Sequence, residues 1–154
     1  MPHARYFVTL ATIDRRSGLS EPSVATKLKH EITAIEQSDA WSIHAAVIMP
    51  DHLHLLFTLQ ERLTLGQTIA RLKSKTRTLL DSSAMHWQGN YYEHRLRPDD
   101  PLVPVIRYLF LNPYRAKLLR PDQTYPWFWL GEAETEWFQP MTDDGSPFPE
   151  WLGE

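Results

Sequence analysis

Cysteine is absent from the 154 residues of the sequence. Disulfide bonds, thiolate zinc sites and cysteine nucleophiles are therefore excluded, and a reducing compartment such as the cytoplasm is the expected location. Long apolar runs are also absent, because no stretch approaches the roughly 20 residues that span a bilayer. The N-terminus lacks the pattern of a signal peptide. We therefore expect a cytoplasmic protein that does not cross a membrane.

Positive charge is missing from one end of the chain. Residues 121–154 contain eight Asp or Glu and no Lys or Arg, whereas residues 62–120 contain eleven Lys or Arg and four Asp or Glu. The net charge of −3 hides this asymmetry. A basic middle indicates a polyanionic partner, although a solvated helix face beside a solvated tail gives the same pattern. We predict one domain over residues 1–130, followed by an acidic tail over residues 131–154.

The predicted elements follow the order β-α-β-β-α-β. Strands are expected at residues 5–13, 41–49, 52–59 and 91–97. A first helix should open at residues 20–22, with an apolar face that extends to Ile35, and a second helix should cover residues 65–83. The second helix begins with a capping box formed by Thr64 and Gln67. This order is typical of an α+β, ferredoxin-like fold, in which helices pack against one antiparallel sheet.

The last third of the chain is harder to assign. Asp99, Asp100 and Pro101 are expected to cap a short helix, and Pro113 should end or kink it because proline disfavours the α conformation of the preceding residue. After Pro121 the composition is rich in Trp, Pro and acidic residues, with little periodicity. This segment is expected to lie across the domain or to fray.

Two histidines alternate with a leucine at the start of the third strand. Side chains alternate along a strand, so His52 and His54 share one face, roughly 7 Å apart. Two imidazoles on one face can bind a single metal ion. A pair of surface histidines on a half-exposed strand remains the alternative.

Tyr108 and Asn112 are four residues apart and share one face of the last predicted helix. A phenol and an amide on the same face of an otherwise apolar helix suggest a site. The alternative is a buried tyrosine with a bonded hydroxyl, together with an asparagine that caps the turn at Pro113.

Basic residues flank the inward stripe of the second predicted helix and continue on the fourth strand. Their side chains suit contacts with a phosphate backbone, although a solvated helix face explains them equally well. The candidate DNA-binding residues are Arg71, Lys73, Lys75, Arg77, Arg95 and Arg97.

Three segments together resemble the REP-associated tyrosine transposases, which belong to the HUH single-strand nucleases, named for a histidine, a hydrophobic residue and a histidine. These segments are residues 47–56 (VIMPDHLHLL), residues 87–97 (WQGNYYEHRLR) and residues 108–119 (YLFLNPYRAKLL). Residues 6–10 and 125–127 also match, so the resemblance covers roughly residues 5–129. The chain departs from the family where Phe128 and Trp129 follow, and the acidic end has no counterpart.

The resemblance implies that residues 1–130 are a catalytic domain. His52 and His54 then bind a divalent metal ion, Mg or Mn, which Asn112 completes, and Tyr108 attacks DNA to form a 5′-phosphotyrosine intermediate. The implied partner is single-stranded or hairpin DNA. Tyr91, Tyr92 and Tyr114 compete with Tyr108 for the role of nucleophile.

Two other functions remain open at this stage. One is a domesticated protein that binds DNA hairpins without transposition activity, and the other is a His-x-His metallohydrolase. The residues do not decide between a monomer and a homodimer.

Overall fold

The structure, a computed structural model, describes residues 3–139 and Pro147. These residues form five strands, four helices and a 3-10 turn over Ile13–Arg15. No helix in the described part of the chain is long and apolar enough to cross a membrane. The elements are β1 (Arg5–Ala11), α1 (Pro22–Gln37), β2 (Trp41–Ile48), β3 (His52–Leu59), α2 (Leu65–Asp81), β4 (Tyr92–Leu96), α3 (Val103–Arg115), β5 (Phe128–Leu130) and α4 (Glu132–Thr135).

The sheet has the strand order β4-β1-β3-β2-β5, and every neighbouring pair is antiparallel. The first four strands follow the ferredoxin-like order, which confirms the predicted fold class. β1 and β3 occupy the centre of the sheet. Their register places Thr9 opposite His54 and Ala11 opposite His52, so side chains from two central strands meet on one face.

α1 and α2 cover one face of the sheet. The capping box that starts α2 is present, because the Thr64 hydroxyl accepts a bond from the Gln67 amide at 3.1 Å and the Gln67 side chain accepts one from Thr64 at 2.9 Å. Apolar side chains at helical spacing meet alternate residues of the strands, as in a two-layer core. Fully buried members of this core include Val8, Leu10, Leu28, Ile32, Leu55, Phe57, Ile69 and Leu72.

α3 packs on the opposite face of the sheet. Two predictions about this helix were wrong. It does not end at Asn112 but continues through Pro113 to Arg115. Proline removes one helical donor, yet Pro113 lies near the C-terminus of the helix, and Ala116 bonds the Asn112 carbonyl at 3.0 Å. The helix also begins without a side-chain cap, since Asp100 instead accepts a bond from the backbone amide of Arg97.

Within the described residues, the segment after Pro121 contains a strand and a helix that the sequence did not predict. Residues 128–130 extend the sheet as β5, pairing with Ala45, Ala46 and Val47 of β2. α4 follows directly, and the buried Glu134 of α4 bonds His44 of β2. Phe138 enters the core beneath α3. Residues 140–146 and 148–154 of the predicted acidic tail lie outside the described residues.

Gly131 allows α4 to approach β2 closely. A Cβ atom at this position would overlap the backbone carbonyl of Ile43. We expect Gly131→Ala to lower the free energy of unfolding by about 1–3 kcal/mol, as overpacking does. Gly66→Ala is the matched control, because nothing lies within 4 Å of its added Cβ, and it should stabilise α2 by about 0.5–1 kcal/mol. Urea unfolding measures both, and equal stability of Gly131→Ala and wild type would contradict the contact.

Candidate active site

The two histidines lie side by side at the start of β3, on the face that α3 covers. Their ring centroids are 4.6 Å apart. Phe7, on β1, stacks against the His54 ring at 5.4 Å. The alternation predicted from the sequence therefore places both imidazoles on one face, between β1, β3 and α3.

Asp51 and Arg15 fix the orientation of His52. The His52 Nδ1 atom is 2.7 Å from Asp51 Oδ1, and the Arg15 Nε atom donates to Asp51 Oδ2 at 3.0 Å. Burial works to raise the pKa of Asp51, but these hydrogen bonds outweigh it and the pKa is lowered. With Nδ1–H donating to a carboxylate, Nε2 keeps the lone pair that a metal ion needs.

His54 is buried, with 5% of its surface exposed. Its Nδ1 atom lies 2.8 Å from the Thr9 hydroxyl, and its Nε2 atom lies 3.5 Å from the Asn112 amide nitrogen. Burial, followed by the charges of His52 and Arg15, lowers the pKa of His54 to about 3. Burial also lowers the pKa of His52. Both rings are therefore neutral at pH 7, which is the form that binds metal.

The donor set fits a divalent cation. Two imidazole nitrogens and one amide converge, and an amide oxygen suits a hard ion such as Mg²⁺ or Mn²⁺. The two ends of an amide are interchangeable by rotation, so the Asn112 oxygen can replace the nitrogen that now faces His54. Within residues 3–139, no group of three or more His, Asp or Glu side chains is arranged to hold a metal ion. A metal ion at the histidine pair would therefore need a further ligand of another kind, such as the Asn112 amide.

Tyr108 lies beside the histidines on α3. Its ring is 5.7 Å from that of His54 and 6.1 Å from that of Phe7. The side chain is 45% exposed, although its neighbours Leu109 and Phe110 are buried. The helix is thus anchored through its apolar side while the phenol remains open to a ligand. The structure brings Tyr108, Asn112, His52 and His54 together.

Of the three competing tyrosines, two make contacts away from the histidines and one lies on the same face of the sheet as the histidines. Tyr114 is buried and donates to the Gln123 carbonyl at 2.6 Å, and burial raises its pKa. Tyr91 packs against Lys73, whose ammonium is 5.5 Å from the ring centroid. Tyr92, in contrast, pairs with Thr9 on the site face and is 58% exposed. Tyr92 is therefore the one structural rival to Tyr108 among the tyrosines that the sequence offered.

Several site residues were not found by sequence reasoning. Thr9 and Phe7 support His54 from β1, while Arg15 reaches Asp51 from the 3-10 turn. Asp14 and Arg15 both have positive φ angles, 58° and 52°. Two consecutive non-glycine residues in this region cost about 1–3 kcal/mol each. The sequence does not predict these positive φ angles, because neither position is a glycine.

Five of the six basic residues predicted to contact DNA lie on the face of the sheet opposite the histidines. Arg95 pairs with Tyr6, whose side chain lies in the core beneath α1 and α2. Arg71 and Lys75 line a groove against α1. Lys73 donates to the carbonyls of Gln88 and Gly89, at 2.8 and 3.3 Å. Arg77 on α2 and Arg97 after β4 are exposed.

Comparison with known proteins places these observations in a family. The family model described as "Transposase IS200 like" matches residues 2–96. The REP-associated tyrosine transposase of Escherichia coli (strain K12) is 25% identical over 121 residues, which are 79% of this chain and 73% of that protein.

Two solved structures share the fold. One is a REP-associated tyrosine transposase bound to a REP hairpin, with a TM-score of 0.69 and 22% identity over 83% of this chain and 77% of that chain. The other is a protein from Deinococcus radiodurans assigned as a transposase, with a TM-score of 0.52 and 19% identity over 74% of this chain and 84% of that chain. Identities this low show a common fold. The family model, which spans more than half of the sequence and includes the histidine pair, shows that the chain belongs to the IS200-like transposase family.

Proposed function

We propose that the protein cleaves and rejoins single-stranded DNA through a 5′-phosphotyrosine on Tyr108, with the help of one divalent metal ion. The carrying observation is the position of the exposed Tyr108 phenol, whose ring is 5.7 Å from the buried His54. The family match ends at Leu96, before α3 begins, so the role of Tyr108 depends on this geometry and on the resemblance of residues 108–119.

His52, His54 and Asn112 would hold the metal ion, Mg²⁺ or Mn²⁺. When bound, such an ion withdraws charge from a phosphate and stabilises a leaving oxygen. The protein contributes the orientation of its ligands, since Asp51 holds His52 and Thr9 holds His54. Hydrogen bonds of this kind fix the tautomer and the ring direction of metal-binding histidines.

The chemistry of the chain itself centres on the phenol oxygen of Tyr108. This oxygen attacks the scissile phosphorus and forms a new O–P bond, while the bond from phosphorus to the 3′-oxygen breaks. The phenol loses its proton and the departing 3′-oxygen gains one, so a free 3′-hydroxyl remains. A phosphodiester is exchanged for another phosphoester, and a second strand can therefore reverse the step without ATP. Positioning dominates such transfers, and the buried flanks of α3 supply it.

The proposed substrate is a DNA hairpin with an unpaired segment. A structural relative is bound to a REP hairpin, and exposed basic residues line the α2 side of this protein. DNA in the cytoplasm would be accessible to it. A domesticated hairpin-binding protein without transposition activity is the second candidate, supported by the placement of the basic residues away from the histidines. A metallohydrolase that uses water as the nucleophile is disfavoured, because the Tyr108 phenol beside the histidines would compete with water for the phosphorus.

The first prediction concerns the nucleophile. Tyr108→Phe removes one exposed oxygen, so the free energy of unfolding should stay within about 0.5 kcal/mol of wild type. Covalent adduct with a labelled single-stranded oligonucleotide should fall by at least about a thousandfold, as for other lost nucleophiles. Tyr92→Phe is the decisive comparison because Tyr92 lies on the same face, and we expect it to form adduct. The assignment is wrong if the two variants behave in the opposite way.

The second prediction concerns the metal. His52→Ala should lower Mn²⁺ affinity by more than about tenfold, measured by electron paramagnetic resonance of free Mn²⁺. DNA affinity without metal should change by less than about twofold, because phosphate contacts elsewhere supply most binding. His30→Ala is the control, since His30 is exposed on α1. Equal Mn²⁺ affinity in both variants would exclude a metal site at His52.

The third prediction concerns Asp51 as a positioning residue. Asp51→Ala removes the acceptor that orients His52, and Mn²⁺ affinity should fall by about 10–100-fold. Asp51→Asn keeps an oxygen that accepts the Nδ1–H bond, so it should recover most of that affinity. If Asn and Ala were equally damaging, or if neither mattered, Asp51 would have no role in orienting the ligand.

A further inference from the structure

A second concave region lies on the other side of the sheet, between the C-terminal half of α2 and residues 85–89. Its volume is about 390 Å³, enough for one nucleotide-sized ligand. Six of its lining residues are relevant to binding: Lys73, Arg77, Leu80, Met85, His86 and Trp87. None of these residues belongs to the candidate active site.

The region combines an apolar floor with an aromatic wall. Leu80 and Met85 are both 1% exposed and form the floor. Trp87 is half-buried, and its indole N–H donates to the Thr76 hydroxyl at 2.9 Å. That bond satisfies the polar atom of the ring and holds the ring in place. A ring fixed in this way is a surface on which a planar base can stack.

The charge around the region favours an anion. Arg77 is exposed, and no hydrogen bond or ion pair to its guanidinium is found among residues 3–139. Lys73 adds a second positive charge, and its ammonium donates hydrogen bonds to the carbonyls of Gln88 and Gly89. The one acidic residue of the lining, Asp81, pairs with His86 at 3.0 Å. A ligand with a phosphate and a flat ring matches this combination.

The wall of this region is connected to the candidate active site through backbone hydrogen bonds. His86 accepts a bond from the amide of Ile13 at 2.8 Å, and the Gln88 amide donates to the Ala11 carbonyl at 2.9 Å. Ala11 in turn pairs with His52. Adjacent strands are about 4.8 Å apart, so the backbone at residues 86–88 lies roughly 10 Å from that of His52. A single-stranded DNA segment that passes over this end of the sheet can contact both regions.

We propose that this region binds one unpaired nucleotide of the substrate strand, with its base against Trp87 and its phosphate at Arg77. The inference rests on the proposed function in that the ligand is single-stranded DNA. The inference goes beyond the proposed function because it places a nucleotide-binding site on the face of the sheet opposite the proposed metal ligands.

Arg77→Gln tests the phosphate contact, with labelled dT12 as the probe and fluorescence anisotropy over a salt series as the measurement. Loss of one phosphate contact should weaken binding about fivefold and reduce the salt slope by about 0.7 for a single strand. Lys27→Gln is the control, because Lys27 is an exposed cation on α1 that lines a different groove. Its affinity and slope should equal those of wild type. Equal effects in the two variants, or none, would overturn the proposal.

Photocrosslinking tests the base contact independently. The wild-type protein is irradiated with dT12 carrying a single 5-iodouracil and digested with trypsin. The expected crosslink lies at Trp87 or His86, within the tryptic peptide of residues 78–95. Crosslinks confined to other peptides, or failure of the wild-type protein to bind dT12, would contradict the proposal.

The two proposals fail separately. The crosslink and the covalent adduct are both measured on the wild-type protein, because the chemistry is assigned to Tyr108 and the nucleotide contact to Trp87 and Arg77. Absence of the crosslink with adduct formation would overturn the nucleotide site alone. Binding at Trp87 without any adduct would instead leave the site standing and contradict the proposed cleavage.

Discussion

The packing of α3 on the sheet is the interaction on which the candidate site depends. Ile106, Leu109 and Phe110 bury the helix against the face formed by Ala45, Val47 and Leu56. This packing also sets the positions of Tyr108 and Asn112, which lie one turn apart on α3 beside its buried side chains. The continuation of the helix through Pro113 is essential, because a break at Asn112 would turn the amide away from His54.

Electrostatics complement this packing. Burial keeps His54 neutral, with its pKa lowered to about 3, and a neutral imidazole can donate its lone pair to a cation. The remaining local charges, Arg15 and Asp51, pair with each other beside His52. The positive φ angles of Asp14 and Arg15 are maintained by bonds from neighbouring elements, including that of Ile13 to His86. The site thus depends on a turn that the surrounding structure holds in a strained conformation.

The sequence predicted those features that follow from local periodicity. The alternation of His52, Leu53 and His54 indicated which side chains share a face, and the order of elements indicated the ferredoxin-like sheet. Local rules failed where tertiary contacts override them. Pro113 is tolerated in α3 because burial of Phe110 and Tyr114 outweighs one lost hydrogen bond. β5 forms because it pairs with the outer edge of β2. Arg15 and Asp51 are separated by 36 positions, so no short motif could reveal their contact. The basic residues were recognisable by charge, but their face depends on the register of β4 and on the placement of α2.

Mass spectrometry of the covalent adduct tests the central claim most directly. The wild-type protein is incubated with Mn²⁺ and a single-stranded oligonucleotide that it cleaves, and the linked peptide is then isolated and fragmented. The account predicts a nucleotide on Tyr108, within the tryptic peptide of residues 108–115, and none on Tyr114 of the same peptide. A nucleotide on Tyr92, or cleavage that releases product without any linked peptide, would contradict it.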